Sequence, residues 1–233
     1  MVILRYVQRS LVVAALLGWA GSDLPAHAQT SSDGCLYALS HGAQATPIDP
    51  CPETDPLNLA NDPDIQKVMR VLGIEPSQIR FKGCSGLRFS AAPDVMANGV
   101  IERYLITYPI EAAQSYLAPV THELAHVLQM EMAGGLDPLR EALGSRRIEL
   151  GADYLAGVIF SNALQNIHVN QFQHNLSLMG RYIELDALAH GTPSQRTAAF
   201  RLGVYLNFND YNRNIRMVSD HFQSDEYGNI VQL

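Results

Sequence analysis

The sequence predicts an α+β domain that is mainly helical. Three observations predict this class: alternating apolar and polar stretches lie before residue 110, helical spacing and capping signals dominate after it, and no segment is repeated. We divide the 233 residues into a signal peptide (1–28), an irregular N-terminal segment (29–60) and one domain (61–233), which is long enough to bury a core.

The first residues have the layout of a secretory signal peptide. Arg5 and Arg9 precede an apolar run at 11–21, and AHA at 26–28 is a small-x-small cleavage signal. We expect cleavage after Ala28 and export to the periplasm or the exterior; an uncleaved membrane anchor is the alternative. No later stretch approaches the roughly 20 apolar residues of a membrane helix, so no integral membrane segment is expected in the mature chain.

The charge balance argues against two classes of partner. The formal net charge is −7 and the only lysines are Lys67 and Lys82, so the chain has no basic stripe for a phosphate backbone. We therefore expect binding neither to nucleic acid nor to anionic membrane surfaces.

Three cysteines, Cys35, Cys51 and Cys84, are expected to be structural. Export would place them where disulfides persist, and their spacing matches no zinc site. A Cys35–Cys51 disulfide closes a short loop and is preferred. Either pairing with Cys84 is also allowed, and the third thiol is then free or intermolecular.

The first part of the domain is predicted to hold one helix and three short strands. Residues 61–73 open with an Asn-Asp cap and a first-turn proline, carry apolar residues at helical spacing and end at a glycine. QIRFKG (78–83) and GLRFSA (86–91) alternate apolar and polar residues, and VIERYLITYP (100–109) has high β-propensity.

Helices are predicted for the rest of the chain. One ends near Gly134, a second covers roughly 144–166 and a third covers roughly 170–188. The last begins at a capping box with proline at the first helical position, TPSQ at 192–195. The expected core residues of this last helix are Phe200, Leu202 and Tyr205.

The stretch HELAHVLQ (122–129) has the spacing of a metal-binding helix. His122 and His126 lie one turn apart on one face, with Cβ atoms about 5–6 Å apart, so both imidazoles can reach one ion. Glu123 lies about 100° around the helix, where it can reach a water on that ion. The alternative is a buried helix with two core histidines, and a chain of this size contains the pattern by chance at on the order of 1%.

A second stretch, RRIELGADYLAG (146–157), supplies a candidate for the third metal ligand. Two histidines and a water leave a tetrahedral zinc one protein ligand short, and Glu149 is a carboxylate on the next helix. Asp153, one turn on, can accept the second ring N–H of a metal-bound histidine. The alternative is a solvated acidic face, which the surrounding apolar residues argue against.

The motifs HELAHVLQ, ELGADYLAG and HGTPSQR resemble, in this order, those of the bacterial neutral zinc metallopeptidases, a gluzincin-type family. The matching stretch covers about residues 105–206. The resemblance implies a zincin-like fold with a small antiparallel sheet packed on the HExxH helix, one zinc ion, Glu149 as its third ligand and Asp153 behind a histidine. Ala125 departs from the glycine usual in the family, and the gap between the two zinc helices is shorter than usual.

The third motif places His190 and Arg196 six residues apart at a helix start, as in related gluzincins. Either side chain could donate to the oxyanion that forms when water attacks a carbonyl. Alternatively, Arg196 pairs with a carboxylate such as Asp153 or Glu184, and His190 caps a neighbouring helix.

The expected activity is zinc-dependent peptide hydrolysis with Glu123 as general base and then acid, and with a protein or peptide as substrate. The substrate is expected to pair with an exposed sheet edge along ERYLITYP (102–109). Two alternatives stay open: a non-catalytic, zinc-stabilised envelope binding protein and a metal-free helical envelope protein. The sequence leaves the oligomeric state open.

Overall fold

The structure is a computed structural model. It describes residues 54–85, 88–98, 100–181 and 190–232. All of them belong to one compact unit. The expected signal peptide, most of the irregular segment, Cys35 and Cys51 lie outside the described residues, so export stays a prediction. Cys84 is described and is disulfide-bonded, which favours the alternative pairings with Cys84 over the preferred Cys35–Cys51 disulfide.

The expected α+β class is confirmed, with helices dominating and a small three-stranded sheet. The strands are β1 (Ile79–Cys84), β2 (Ser90–Ala97) and β3 (Val100–Pro109). The helices are α1 (Pro63–Leu72), α2 (Leu117–Ala133), α3 (Leu136–Leu143), α4 (Ser145–Ala163), α5 (Val169–Arg181), α6 (Pro193–Tyr205), α7 (Ile215–His221) and α8 (Tyr227–Val231). None of the described helices is long and apolar enough to cross a membrane.

The sheet has the strand order β1-β3-β2, with β3 in the centre. β2 and β3 form an antiparallel hairpin, whereas β1 pairs with β3 in parallel. The expected antiparallel sheet is therefore wrong in part, because the sheet is mixed. The physical reason is that the chain reverses twice between β1 and β3, so that β3 runs in the direction of β1 and lies between it and β2.

Two strand predictions need correction. The strand expected at 86–91 lies further along the chain, at β2, which contains Pro93. Proline lacks the donor that a central strand needs, and it is tolerated because β2 lies at an edge of the sheet. The exposed edge expected along 102–109 is also wrong, because this segment lies in β3, which has a neighbouring strand on each side.

Two tyrosines tie the segment before α1 to the domain. The hydroxyl of Tyr108 donates to Asp55 Oδ1 at 2.5 Å, and the hydroxyl of Tyr116 donates to Asp62 Oδ2 at 2.6 Å. Asp62 also caps α1 by accepting two backbone N–H groups. Residues 54–60, which the sequence assigns to the irregular segment, are thus packed on the domain.

Helices α4 and α6 approach each other closely at two glycines. A Cβ atom on Gly157 would lie 2.1 Å from the Phe200 carbonyl oxygen, and one on Gly203 would lie 2.0 Å from the Tyr154 carbonyl oxygen. Any side chain at either position would force the helices apart. This contact sets the distance between the side chains that α4 and α6 direct at each other.

The predicted capping box of α6 is present. Thr192 Oγ1 accepts from the Gln195 N–H at 3.2 Å, and Gln195 Oε1 accepts from the Thr192 N–H at 2.9 Å. However, α6 is not the last helix, since α7 and α8 follow, and α3 was not predicted either. These three helices have eight, seven and five residues, too few turns to show a clear periodicity in sequence.

The expected core residues of α6 are only partly correct. Phe200 is fully buried, but Leu202 is 36% exposed and Tyr205 is 83% exposed. The prediction for the latter two is wrong because the face of α6 that packs inward carries Phe200 and Gly203.

Candidate metal centre

Helix α2 carries the first three residues of the predicted site. His122, Glu123 and His126 have no exposed surface, and every residue of the helix from Ala118 to Met130 is buried. The helix begins at Leu117 and ends before Gly134, whose φ of 81° is readily adopted only by a residue without a side chain. The two histidine rings lie edge to face, with centroids 4.6 Å apart.

Helix α4 brings Glu149 against both histidines. The Oε2 atom of Glu149 lies 3.2 Å from Nε2 of His122, and its Oε1 atom lies 3.6 Å from Nε2 of His126. One ligand atom from each residue lies within 4.8 Å of the other two. The members of this buried group lie on two helices, and together they could hold a metal ion.

The chemistry of these three residues fits a cation. His126 Nε2 is buried and has no hydrogen-bond partner among the described residues. Glu149 is only 3% exposed, and one of its oxygens faces that nitrogen. Buried polar atoms are normally satisfied, and a cation between the imidazole nitrogens and the carboxylate would satisfy them together.

Asp153 lies behind His122, as predicted. His122 Nδ1 donates to Asp153 Oδ1 at 2.9 Å, which leaves Nε2 directed at Glu149. The Arg196 guanidinium holds the same carboxylate from α6, with Nε 2.7 Å from Oδ2 and Nη2 2.8 Å from Oδ1. This two-pronged contact fixes the Asp153 carboxylate, and through it the plane of the His122 ring.

The electrostatics follow from this packing. Burial lowers the pKa of His122, but the charge and hydrogen bond of Asp153, with Glu149, outweigh burial and raise it to about 9. Burial raises the pKa of Glu149, yet the neighbouring His126 and His122 hold it well below its usual range. Burial likewise raises the pKa of Asp153, and Arg196 outweighs it, so the net shift is downward.

His190 and Arg196 reach the site from the start of α6, and both lie on carboxylates of α4. His190 is 7% exposed, and its Nδ1 lies 3.4 Å from Glu149 Oε1. Arg196 binds Asp153, which is the pairing that the sequence left as the alternative to an oxyanion donor; its other candidate partner, Glu184, lies outside the described residues. The third motif thus places His190 beside Glu149 and Arg196 on Asp153, the two carboxylates of α4 at the site.

The structure assigns a contact to Gln129, the last residue of the HELAHVLQ motif, for which no role was predicted. Gln129 is 2% exposed, and its Oε1 lies 2.8 Å from His126 Nδ1. The available signal was its position three residues after His126, on the same face of α2. Because glutamine is not a usual metal ligand or acid–base group, its residue type did not indicate a site.

No protein-family model, curated protein or solved structure matches the chain.

Proposed function

We propose that the protein is a zinc-dependent metallopeptidase of the gluzincin type, with a zincin-like fold, acting in the periplasm or outside the cell. One observation carries the proposal: His122, His126 and Glu149 converge on one buried point, and Glu123 is a buried carboxylate on the helix that carries the two histidines. The order of the three sequence motifs supports the same assignment.

The ligand set favours zinc among the divalent cations. Two imidazole nitrogens and one carboxylate are a common ligand set of catalytic zinc, which keeps its fourth position for water or substrate. When bound, such an ion would lower the pKa of a coordinated water to about 7 and polarise the carbonyl of the scissile bond.

Side chains of the protein would carry out the proton transfers of the reaction. Hydrolysis joins the water oxygen to the carbonyl carbon and breaks the C–N bond, and one water proton must end on the leaving nitrogen. We assign both proton transfers to Glu123, which accepts the proton and then donates it. Its fully buried carboxylate has little competing solvent. Asp153, held by Arg196, keeps His122 in place during both steps.

The substrate has to bind elsewhere than along β3. Both sides of β3 are occupied by other strands, whereas β2 has, among the described strands, a partner on one side only and packs against α2. We therefore assign the pairing of an extended protein or peptide substrate to β2. Main-chain pairing of this kind selects weakly among side chains, because it uses groups common to every peptide.

The test combines metal analysis with one conservative substitution. Wild-type protein should bind about one zinc ion per chain and cleave members of a peptide library. Glu123→Gln should retain the zinc and lose at least about 100-fold in cleavage rate, the lower end of general acid–base contributions. Glu131→Gln, on the same helix but paired with Arg216 at 2.9 Å, should behave as wild type. Wild-type protein without metal would contradict the proposal.

A non-catalytic, zinc-stabilised binding protein is the second candidate, and the burial of the site favours it. His122, Glu123 and His126 have no exposed surface, and Glu149 has 3%. In that case chelation would lower the melting temperature, as it would for the enzyme, but no peptide would be cleaved and Glu123→Gln would change nothing. If the protein is instead metal-free, His122→Ala would alter stability alone.

A further inference from the structure

The side chain of Gln129 bridges the two helices of the metal centre. Its Oε1 lies 2.8 Å from His126 Nδ1 on α2, and its Nε2 donates to the Ile148 carbonyl oxygen on α4 at 3.0 Å. Ile148 directly precedes Glu149. The amide therefore connects one metal ligand to the backbone beside another, and both of its ends are engaged.

These two contacts determine which way the amide points. A backbone carbonyl can only accept, so the end of Gln129 that faces Ile148 must be the NH2 group. The oxygen is then the end that faces His126, and an oxygen can only accept. The neutral ring of His126 must for this reason carry its proton on Nδ1.

The consequence falls on the other nitrogen of the same ring. With the proton on Nδ1, Nε2 of neutral His126 carries a lone pair and is an acceptor. It lies 3.6 Å from Glu149 Oε1, also an acceptor, and has no hydrogen-bond partner within the described part of the chain. Two buried acceptors that face each other need a cation or a proton between them.

Gly151 provides the space for this amide. A Cβ atom at position 151 would lie 2.7 Å from Gln129 Nε2 and 3.0 Å from Gln223 Nε2. Gly151 lies within α4, so the absence of a side chain is needed for room rather than for an unusual backbone conformation. The amide of Gln129 thus occupies a site that only glycine leaves open.

We propose that Gln129 is a positioning residue that fixes the tautomer of His126 and so directs its Nε2 lone pair at the metal. The two histidines are then held differently, His122 by a carboxylate and His126 by a neutral amide. The proposal rests on the metal site of the proposed function, but not on hydrolysis.

The first experiment reads the tautomer directly in the folded wild-type protein. Nitrogen-15 chemical shifts of the histidine rings should show His126 protonated on Nδ1, in the zinc-loaded form and in the metal-free form at a pH where the ring is neutral. A proton on Nε2 would overturn the proposal. This readout needs no activity, so it stands even if the wild-type protein cleaves nothing.

The second experiment measures zinc affinity of purified variants by competition with a chromophoric chelator. Gln129→Leu, of similar size but without an acceptor, should weaken zinc binding by about 10–100-fold, the usual effect of losing an outer partner of a ligand. Gln223→Leu removes the other amide beside Gly151 without touching His126, and should keep wild-type affinity. Equal affinities of wild type and Gln129→Leu would overturn the proposal.

A third variant separates positioning from general packing. Gly151→Ala removes no polar group but displaces the Gln129 amide, so it should weaken zinc binding in the wild-type background and add little to Gln129→Leu. In cobalt-substituted protein, both variants should shift the visible absorption bands relative to wild type. Additive effects of the two substitutions would mean that Gly151 acts on packing alone, contrary to the proposal.

Discussion

Asp153 holds two partners at once, His122 on α2 and Arg196 on α6, and it has no exposed surface. Removing its charge should affect both contacts. We expect Asp153→Asn to weaken zinc binding by about 10–100-fold, since the backing of His122 becomes neutral. The free energy of unfolding of the metal-free protein should fall by about 3 kcal/mol, because a buried ion pair is lost.

Zinc competition and urea unfolding measure these two effects. Asp137→Asn, an exposed change on α3, is the matched control and should leave both quantities unchanged. Unaltered zinc affinity in Asp153→Asn would show that Asp153 does not support the ligand.

At the scale of residues, the sequence indicated the group of His122, His126 and Glu149 because residues of the same chemistry recur at the spacing of one helical turn. His122 and His126, like Glu149 and Asp153, are four apart, and a short-range rule places each pair on one face. The destinations of His190 and Arg196 could not be predicted, because they depend on how α6 packs on α4. The role of Gln129 was missed because nothing in its residue type distinguishes a buried bridge from a surface amide.

The close contact between α4 and α6 is the element-scale feature on which the site depends. We expect Gly157→Ala to reduce the free energy of unfolding by at least about 1–3 kcal/mol, since the added Cβ would lie 2.1 Å from the Phe200 carbonyl oxygen. The same change should weaken zinc binding, because the helices that carry Asp153 and Arg196 must separate.

The control for this prediction is Gly228→Ala in α8. A Cβ atom there would meet nothing within 4 Å, so the substitution should be neutral or slightly stabilising. Thermal and urea unfolding compare the two variants. If Gly157→Ala were as stable as Gly228→Ala, the packing of α4 on α6 would be looser than the structure has it.

The sheet has its own electrostatic link. Asp94 on β2 pairs with Arg80 on β1 at 2.5 Å and with Arg103 on β3 at 2.7 Å. The hydrogen bond from Arg80 lowers the pKa of Asp94, burial opposes it, and Arg103 adds to the lowering, with a net value of about 2. The carboxylate is thus charged in the folded state at a pH where the unfolded chain is protonated.

The pH dependence follows from this lowered pKa. The stabilisation by Asp94 is fully present above the unfolded value of about 3.9 and is lost as the pH falls through about 2. Asp94→Asn should therefore be less stable than wild type at pH 7, by about 1–2 kcal/mol after allowing for the partly exposed arginines. Urea unfolding should show this difference shrinking below pH 4.

The order of the sheet could not have been predicted from local patterns. Alternation identifies a strand but not its neighbours, and the pairing of β1 with β3 joins residues about 25 apart, Ile79 with Tyr104 for instance. Pro93 and Asp94 resemble a turn in sequence, and only the edge position of β2 makes them compatible with a strand. The helix termini, by contrast, were predictable because caps are local.

At the scale of the whole molecule, the site lies in the interior of one compact unit, since His122, His126 and Glu149 are all buried. The expected export can be examined on this scale as well. Protein expressed with its leader in a secreting host should have its mature N-terminus at Gln29, as read by intact mass. A mature protein that retains residues 1–28 would contradict the predicted cleavage and favour an uncleaved anchor.

The complete burial of His122, Glu123 and His126 also has a kinetic consequence. An ion enclosed in this way has a residence time set by transient opening of the protein, not by the concentration of whatever competes for it. Stripping zinc with an excess of chelator should therefore follow a single first-order rate that reaches a plateau as chelator is increased. Any peptide would have to wait for the same opening, so turnover and metal loss should share one temperature dependence.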